Sequence, residues 1–439
     1  MRRNAHPKRK RPDDLDRRHA GHGPARDRDP RPTTTSDGPC PIMRLCGGCA
    51  WLGLPYHKQL ARKQQAMEEL FSPVALESGI EIDPIWGMGG RAGDGKLPAP
   101  RGFRHKAATP FAPGPRGEVR CGFFARGTHD IVFASSCIVE ARGARGILAS
   151  LAKEAEGLGI PAYDEDARRG DLRHAIVRLG WRTSEGMLVI VTSHRKVAGL
   201  DRLAEAALEL DPRITCVAQN INPRVTNAIL GGETRVIAGA TTMHDKLLGC
   251  TFEISPTAFY QTNPQQTEAL YRIAIEGMDL QDGDTLLDAY CGSGTIGLCA
   301  VDDARSRGIS VRLLGIERNK AGIADARRNA VINDLEGSCE FIARDATDHI
   351  LDAARQGLHV DVLSIDPPRA GSTPEFLDAA ASLAPRRIVY VSCNPQTQVR
   401  DIRHLSQRGY RLTQVTPVDM FPHTEHVETV AVLEREMRG

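Results

Sequence analysis

From about Thr267 to the C-terminus, short apolar runs alternate with segments of helical spacing. The runs cover 285–290, 311–317, 339–346, 360–366, 386–392, 411–421 and 428–434. Apolar runs of this length, bounded by turn residues and separated by helices, are buried on both faces. They predict a mostly parallel, doubly wound α/β sheet of the Rossmann-like kind. Such sheets bind ligands beyond the carboxyl ends of their strands, so the residues that leave those ends are the first to ask about chemistry.

The rest of the 439 residues leaves room for one or two further domains. Residues 103–240 carry short β-like runs with one helical stretch near 200–210, which predicts an α+β middle domain. Residues 51–70 have helical spacing, and a Gly- and Pro-rich loop follows from Gly87 to Gly102. Ahead of Cys40, residues 1–39 hold Lys8 to Arg11, Arg17, Arg18, Arg26, Arg28 and Arg31 with almost no large apolar side chain. This is the composition of a disordered basic tail, either a plain solvated extension or one loosely attracted to RNA phosphates. The expected organisation is therefore a tail over 1–39, a central region over 40–245 and a catalytic domain over 246–439. No apolar run is long enough to span a membrane and no signal core opens the chain, so a cytoplasmic protein is expected. In that compartment, the eleven cysteines suit metal binding or catalysis better than disulfides.

The first catalytic strand runs into Cys291-Gly292-Ser293-Gly294-Thr295-Ile296-Gly297, which satisfies G-x-G-x-x-G. Glu317 ends the next strand, where a carboxylate can accept hydrogen bonds from ribose hydroxyls. NAD and S-adenosylmethionine both fit this pair. The fourth strand separates them, because it ends in Asp366-Pro367-Pro368-Arg369. Two prolines hold the acid rigidly at the sheet edge, as in methyltransferases where cofactor methyl and nucleobase meet. Adenine-N6 enzymes usually place an aromatic after the prolines, and here Arg369 stands instead.

The fifth strand delivers Ser392-Cys393-Asn394-Pro395 to the same edge. Most free cysteines are small buried hydrophobes. A cysteine in this position can also serve as a nucleophile for uracil, whose carbon 5 attacks an activated methyl only after a thiolate adds at carbon 6. A base must then remove the carbon-5 proton. Glu428, at the start of the last strand, is the candidate, with His423, Glu425 and His426 as rivals. Gln261-Thr262-Asn263-Pro264 is a further polar patch, and helix capping explains it equally well.

Taken together, FYQTNP, DAYCGSG, GIE, DPPR, SCNP and HVETV, in this order from Cys40 onward, resemble the RNA uracil-5-methyltransferase family. The resemblance implies a class I, S-adenosylmethionine-dependent catalytic domain over 246–439. It implies that Gln261, Tyr290, Glu317 and Asp366 contact the cofactor, that Cys393 is the nucleophile and that Glu428 is the proton acceptor.

Cys40, Cys46 and Cys49 pack three thiols into ten residues around two glycines. Grouped thiols suit soft metals. With a fourth ligand from Cys121 or Cys137 they suit a [4Fe-4S] cluster; zinc and uncoordinated cysteines remain open on spacing alone. The family resemblance assigns Cys137 as the fourth, making 40–245 an iron-sulfur and RNA-binding region. It also points to 23S ribosomal RNA, because tRNA-modifying members characteristically lack the cluster, and to the short branch without a TRAM domain. No obligate protein partner is implied. Two other readings are an NAD oxidoreductase, which leaves DPPR and SCNP without a role, and a non-enzymatic iron-sulfur RNA-binding module.

Overall fold

The computed structural model describes residues 40–125, 127–226 and 228–436; the basic tail expected over 1–39 lies outside them. A short helix, α1 (Met43–Cys46), precedes the long helix α2 (Tyr56–Ser78). Tyr56, Leu60, Lys63, Met67, Phe71 and Val74 are its buried stripe, at spacings of three and four that keep them on one face. Gly79, at φ +69°, ends the helix by turning its N–H back to the Ala75 and Leu76 carbonyls. Two very short strands follow, β1 (Trp86–Gly87) and β2 (Gly90–Arg91).

The central region contains β3 (Lys106–Pro113), β4 (Val119–Cys121), a small pair β5 (Phe123–Phe124) and β6 (Ile131–Val132), then β7 (Leu172–Leu179), β8 (Gly186–Thr192), β9 (Ile214–Ile221) and β10 (Glu233–Gly239). A six-stranded sheet runs in the order β10-β9-β8-β7-β3-β4, with only β8 and β9 parallel. Helices Ala144–Gly157 and Leu200–Glu209 bury their apolar stripes against one face. Strands and helices are thus mixed in this region. A hairpin, β11 (Met243–Leu247) and β12 (Cys250–Ile254), turns through Leu248 and Gly249, both at positive φ.

The catalytic strands are β13 (Thr285–Ala289), β14 (Arg312–Glu317), β15 (Cys339–Ala343), β16 (Val362–Ile365), β17 (Arg387–Ser392), β18 (Tyr410–Val418) and β19 (Glu428–Arg435). Their order is β15-β14-β13-β16-β17-β19-β18, and β13 to β17 are parallel while β19 runs antiparallel between β17 and β18. One apolar cluster lies on each face of this sheet. The sheet does not stop at β18. Trp86 pairs with Val418, so β1 and β2 extend the same sheet, and α2 packs beside β18. The first part of the 40–245 region is thus built into the catalytic layer. Its strands are only two residues long, below the length at which alternation of side chains shows in a sequence.

Among the described residues, no helix is long and apolar enough to cross a membrane.

Candidate active site

The turn after β13 is shaped by its backbone. Tyr290, Gly292 and Gly294 all have positive φ, at 66°, 58° and 79°. Gly297 is required by packing, since a Cβ there would lie 2.8 Å from Leu313. Behind the turn, the buried Asp288 accepts a hydrogen bond from the Gly297 N–H at 3.1 Å. Burial pushes its carboxyl up to about 7 despite that bond. Asp288 was not singled out in the sequence, although it is the one acid inside the apolar run 285–290. Tyr290 turns its ring onto Phe376, with centroids 5.4 Å apart. Glu317 stands at the end of β14 and accepts from the Asn319 N–H at 2.7 Å. These residues and Asp366 all sit at the carboxyl edge of adjacent strands, where a nucleotide-like cofactor would lie. Gln261 is half-buried, in the segment tied to the central region by the His105 N–H donating to the Thr262 carbonyl at 2.8 Å.

Cys393 and Glu428 come from paired strands: Ser392 of β17 lies opposite Thr429 of β19. The pairing places the thiol and the carboxyl at the same edge. Glu428 is buried, and burial, reinforced by the charge of Asp366 and opposed by Arg369, pushes its carboxyl up to about 8. Asp366 keeps some contact with solvent but is ringed by protein, which raises its carboxyl to about 7. The Cys393 thiol is also raised, by burial first and then by the charges of Glu428 and Asp366, while the Arg369 guanidinium opposes by charge and a hydrogen bond. Arg369 is held in place by the loop that carries Cys393: Asn394 Nδ2 donates to the Arg369 carbonyl at 2.8 Å. Four residues thus form one interacting group, with a thiol, a cation and two acids that hold protons near neutral pH. Such a group can store, accept and return a proton beside a nucleophile.

The loop leading into Glu428 is clamped from the other end of the chain. Lys63 Nζ, fully buried, donates to Asp419 Oδ1 at 2.5 Å, to the His426 carbonyl at 2.7 Å and to the Phe421 carbonyl at 3.1 Å. Tyr56 Oη donates to Asp419 Oδ2 at 2.7 Å. His423 is pinned by both ring nitrogens, Nδ1 facing Gln59 Nε2 at 3.1 Å and Nε2 facing the Pro100 carbonyl at 3.0 Å. An amide nitrogen can only donate, so Nδ1 accepts, Nε2 carries the hydrogen and the ring is neutral. This removes His423 from the rival bases. Asn263 caps helix Pro264–Met278 and donates to the Met420 carbonyl at 3.0 Å, so its capping role and its contact with this loop coexist. Lys63→Met is expected to lower stability by about 3–5 kcal/mol, because it leaves Asp419 buried without its cation. Chemical denaturation measures the loss; an unchanged midpoint would contradict the clamp.

Cys40 lies ahead of α1, Cys46 ends it and Cys49 follows in the turn after it, with Gly47 at φ +66°. Cys40, Cys46, Cys49 and Cys137 are all half-buried. Burial pushes Cys49 up to about 11, and the charges of Cys137, Cys46 and Cys40 add to the shift, so the four thiols share one electrostatic neighbourhood. Among the described residues, however, no three side chains of His, Cys, Asp or Glu are grouped closely enough to hold a metal ion. The donor set fits a soft metal chemically, and two glycines leave the turn free to adjust. Cys121 is placed elsewhere, buried in β4 with its thiol toward the Leu148 carbonyl.

A doubly wound sheet with a glycine turn, a ribose-type carboxylate and an Asp-Pro-Pro edge defines a class I methyltransferase. The sequence pattern described as tRNA (Uracil-5-)-methyltransferase matches residues 167–436. An uncharacterised RNA methyltransferase of Bacillus cereus is 35% identical over 399 residues, covering 91% of this chain and 83% of that protein. One from Staphylococcus aureus is 36% identical over 394 residues, covering 90% and 83%. Among solved structures, the Pyrococcus abyssi tRNA (uracil-54, C5)-methyltransferase in complex with S-adenosyl-L-homocysteine superposes with a TM-score of 0.68 at 27% identity, covering 89% of this chain and 86% of that one. The chain belongs to the RNA uracil-5-methyltransferase family, and it is a methyl-transferring enzyme.

Proposed function

We propose that this enzyme methylates carbon 5 of one uridine in 23S ribosomal RNA through a covalent link between Cys393 and carbon 6. The observation that carries the reading is the Cys393, Glu428, Asp366 and Arg369 group at one sheet edge, with Glu428 poised to exchange a proton near pH 8. Cys393, once deprotonated, adds its sulfur to carbon 6, and the electron pair of the 5,6 double bond becomes available at carbon 5. S-adenosylmethionine, when bound, supplies the electrophilic methyl group. Gln261, Tyr290, Glu317 and Asp366 hold it beside the base. Glu428 takes the carbon-5 proton, the double bond re-forms and the Cys393 sulfur leaves. The balance is one methyl gained and one proton released. Arg369, whose positive charge opposes the rise of the thiol, favours the thiolate at the moment of attack.

Ribosomal RNA is favoured over tRNA by the cysteine segment, which we propose holds a [4Fe-4S] cluster through Cys40, Cys46, Cys49 and Cys137. Protein purified without oxygen should be brown and contain about four irons per chain. Zinc at one equivalent without iron would sink the assignment. The substrate is tested by incubating the enzyme with labelled S-adenosylmethionine and separate pools of ribosomal and transfer RNA, then mapping 5-methyluridine. Label in tRNA alone would overturn the ribosomal reading, which the tRNA specificity of the Pyrococcus abyssi neighbour makes a real alternative.

A further inference from the structure

Lys106 of β3 and Arg178 of β7 are partners in the antiparallel register, so two cations face the same side of the central sheet directly opposite each other. Like charges in that relation repel, and burial makes the repulsion worse. Arg178 is 6% exposed. Its Nη2 donates to the Ala258 carbonyl at 3.1 Å, but Nη1 is buried without a partner among the described residues. Lys106 has no hydrogen bond or ion pair among them either; burial, with Arg178 adding to it, brings its ammonium down to about 8. Both residues line a small enclosed cavity of about 30 Å³ together with Ile176, Met187, Leu230 and Pro256, and no acid is among its walls. Asp245, the carboxylate whose charge reaches Arg178, is already committed to the Trp181 and Arg182 amides. Next to the cavity, Tyr260 lies under the Arg178 guanidinium at 5.6 Å, and its hydroxyl is also buried and unpartnered.

An opposed pair of cations, Arg178 buried and Lys106 half-buried, with an unpartnered guanidinium nitrogen and no counter-charge among the described residues, describes a site that a ligand completes. The cavity has room for one anionic oxygen, not for a nucleotide. Its wall at Pro256–Ala258 leads straight into Phe259, which is 71% exposed, and Gln261 at the candidate active site. We propose that Lys106 and Arg178 form a subsite for one backbone phosphate oxygen of the RNA substrate, near the methylated uridine. This rests on the reading that the substrate is RNA. The phosphate would settle the charge of the pair while fixing the strand on the central sheet, a contact that positions without reading sequence.

The test uses the full chain and whichever RNA the parent methylates in the labelled transfer assay, so that failure of the RNA reading appears in the parent itself. Lys106→Met is compared with the parent in RNA affinity across a potassium chloride series and in affinity for S-adenosylmethionine. RNA affinity should fall on the order of tenfold at low salt, and the slope of log K against log salt should lose about one unit. Cofactor affinity should stay the same, and Lys106→Arg should restore the slope. An unchanged slope and affinity would mean that the cavity holds only water. Loss of cofactor affinity with RNA binding intact would assign the site to the cofactor's carboxylate. Either result overturns the proposal.

Discussion

Cys393→Ala is expected to abolish methyl transfer, with no covalent protein–RNA species at any time. Carbon 5 of an unactivated uracil lacks the electron density to attack a sulfonium methyl, and no neighbouring side chain can replace the sulfur at carbon 6. Asn394 and Ser392 flank the position but are bonded into the loop, Ser392 Oγ to the Asn394 carbonyl and Asn394 Nδ2 to the Arg369 carbonyl. RNA and cofactor binding should persist, since the change removes one atom from a half-buried site. Methylation in the variant at more than a trace of the parent rate would remove Cys393 from the mechanism.

Glu428→Gln should act later. Thiol addition and methyl transfer proceed, but the carbon-5 proton has no acceptor, so an adduct carrying the new methyl group accumulates and survives denaturing electrophoresis. Glu425 and His426, both exposed on the preceding loop, are the groups to test if the variant turns over normally. The same substitution has a signature in stability. The folded Glu428 carboxyl sits at about 8, above its ordinary value of 4.5. A carboxyl raised in this way favours the folded state fully below pH 4.5 and loses that contribution as pH climbs towards 8. Glutamine is neutral at every pH. At pH 8, Glu428→Gln should therefore be the more stable protein, by an amount on the order of a few kcal/mol, and the difference should shrink towards pH 5. The acid also predicts the activity profile of the parent, whose kcat should rise with an apparent pKa between about 7 and 8 as the group around Asp366 and Glu428 loses its protons and can take the carbon-5 proton.

How much was legible in the sequence differed from part to part. The parallel strands and the residues leaving their ends were readable because each apolar run is bounded by turn residues with fixed chemistry, Gly after β13 and Pro-Pro after β16. Cys393 and Glu428 stood out for the same reason. Asp288 was hidden by its strand, since one acid in an apolar run reads as a break in the pattern until the Gly297 amide is seen opposite it. Lys63 was hidden by its helix. It occupies a position on the apolar stripe of α2, where a lysine looks like a flaw in amphipathicity, and only its partners 356 residues away explain it. The cysteine segment was legible in its spacing, but the described thiols, on and around a short helix, are not grouped closely enough to hold a metal ion.

The clamp on the loop before Glu428 has a consequence for biosynthesis. Lys63 leaves the ribosome long before Asp419, and at ordinary rates of elongation the interval is on the order of tens of seconds. Throughout it, helix α2 carries a lysine on its apolar face with no carboxylate to meet it, and β1 has no β18 to pair with. Helix α2 and the short strands β1 and β2 therefore wait, unfinished, for the last thirty or so residues. Those same residues bring Glu428. A polypeptide cut short near its end would lack Glu428, the proposed proton acceptor, and would also strand the lysine, so incomplete synthesis is expected to yield an unstable fragment rather than an enzyme arrested on its RNA.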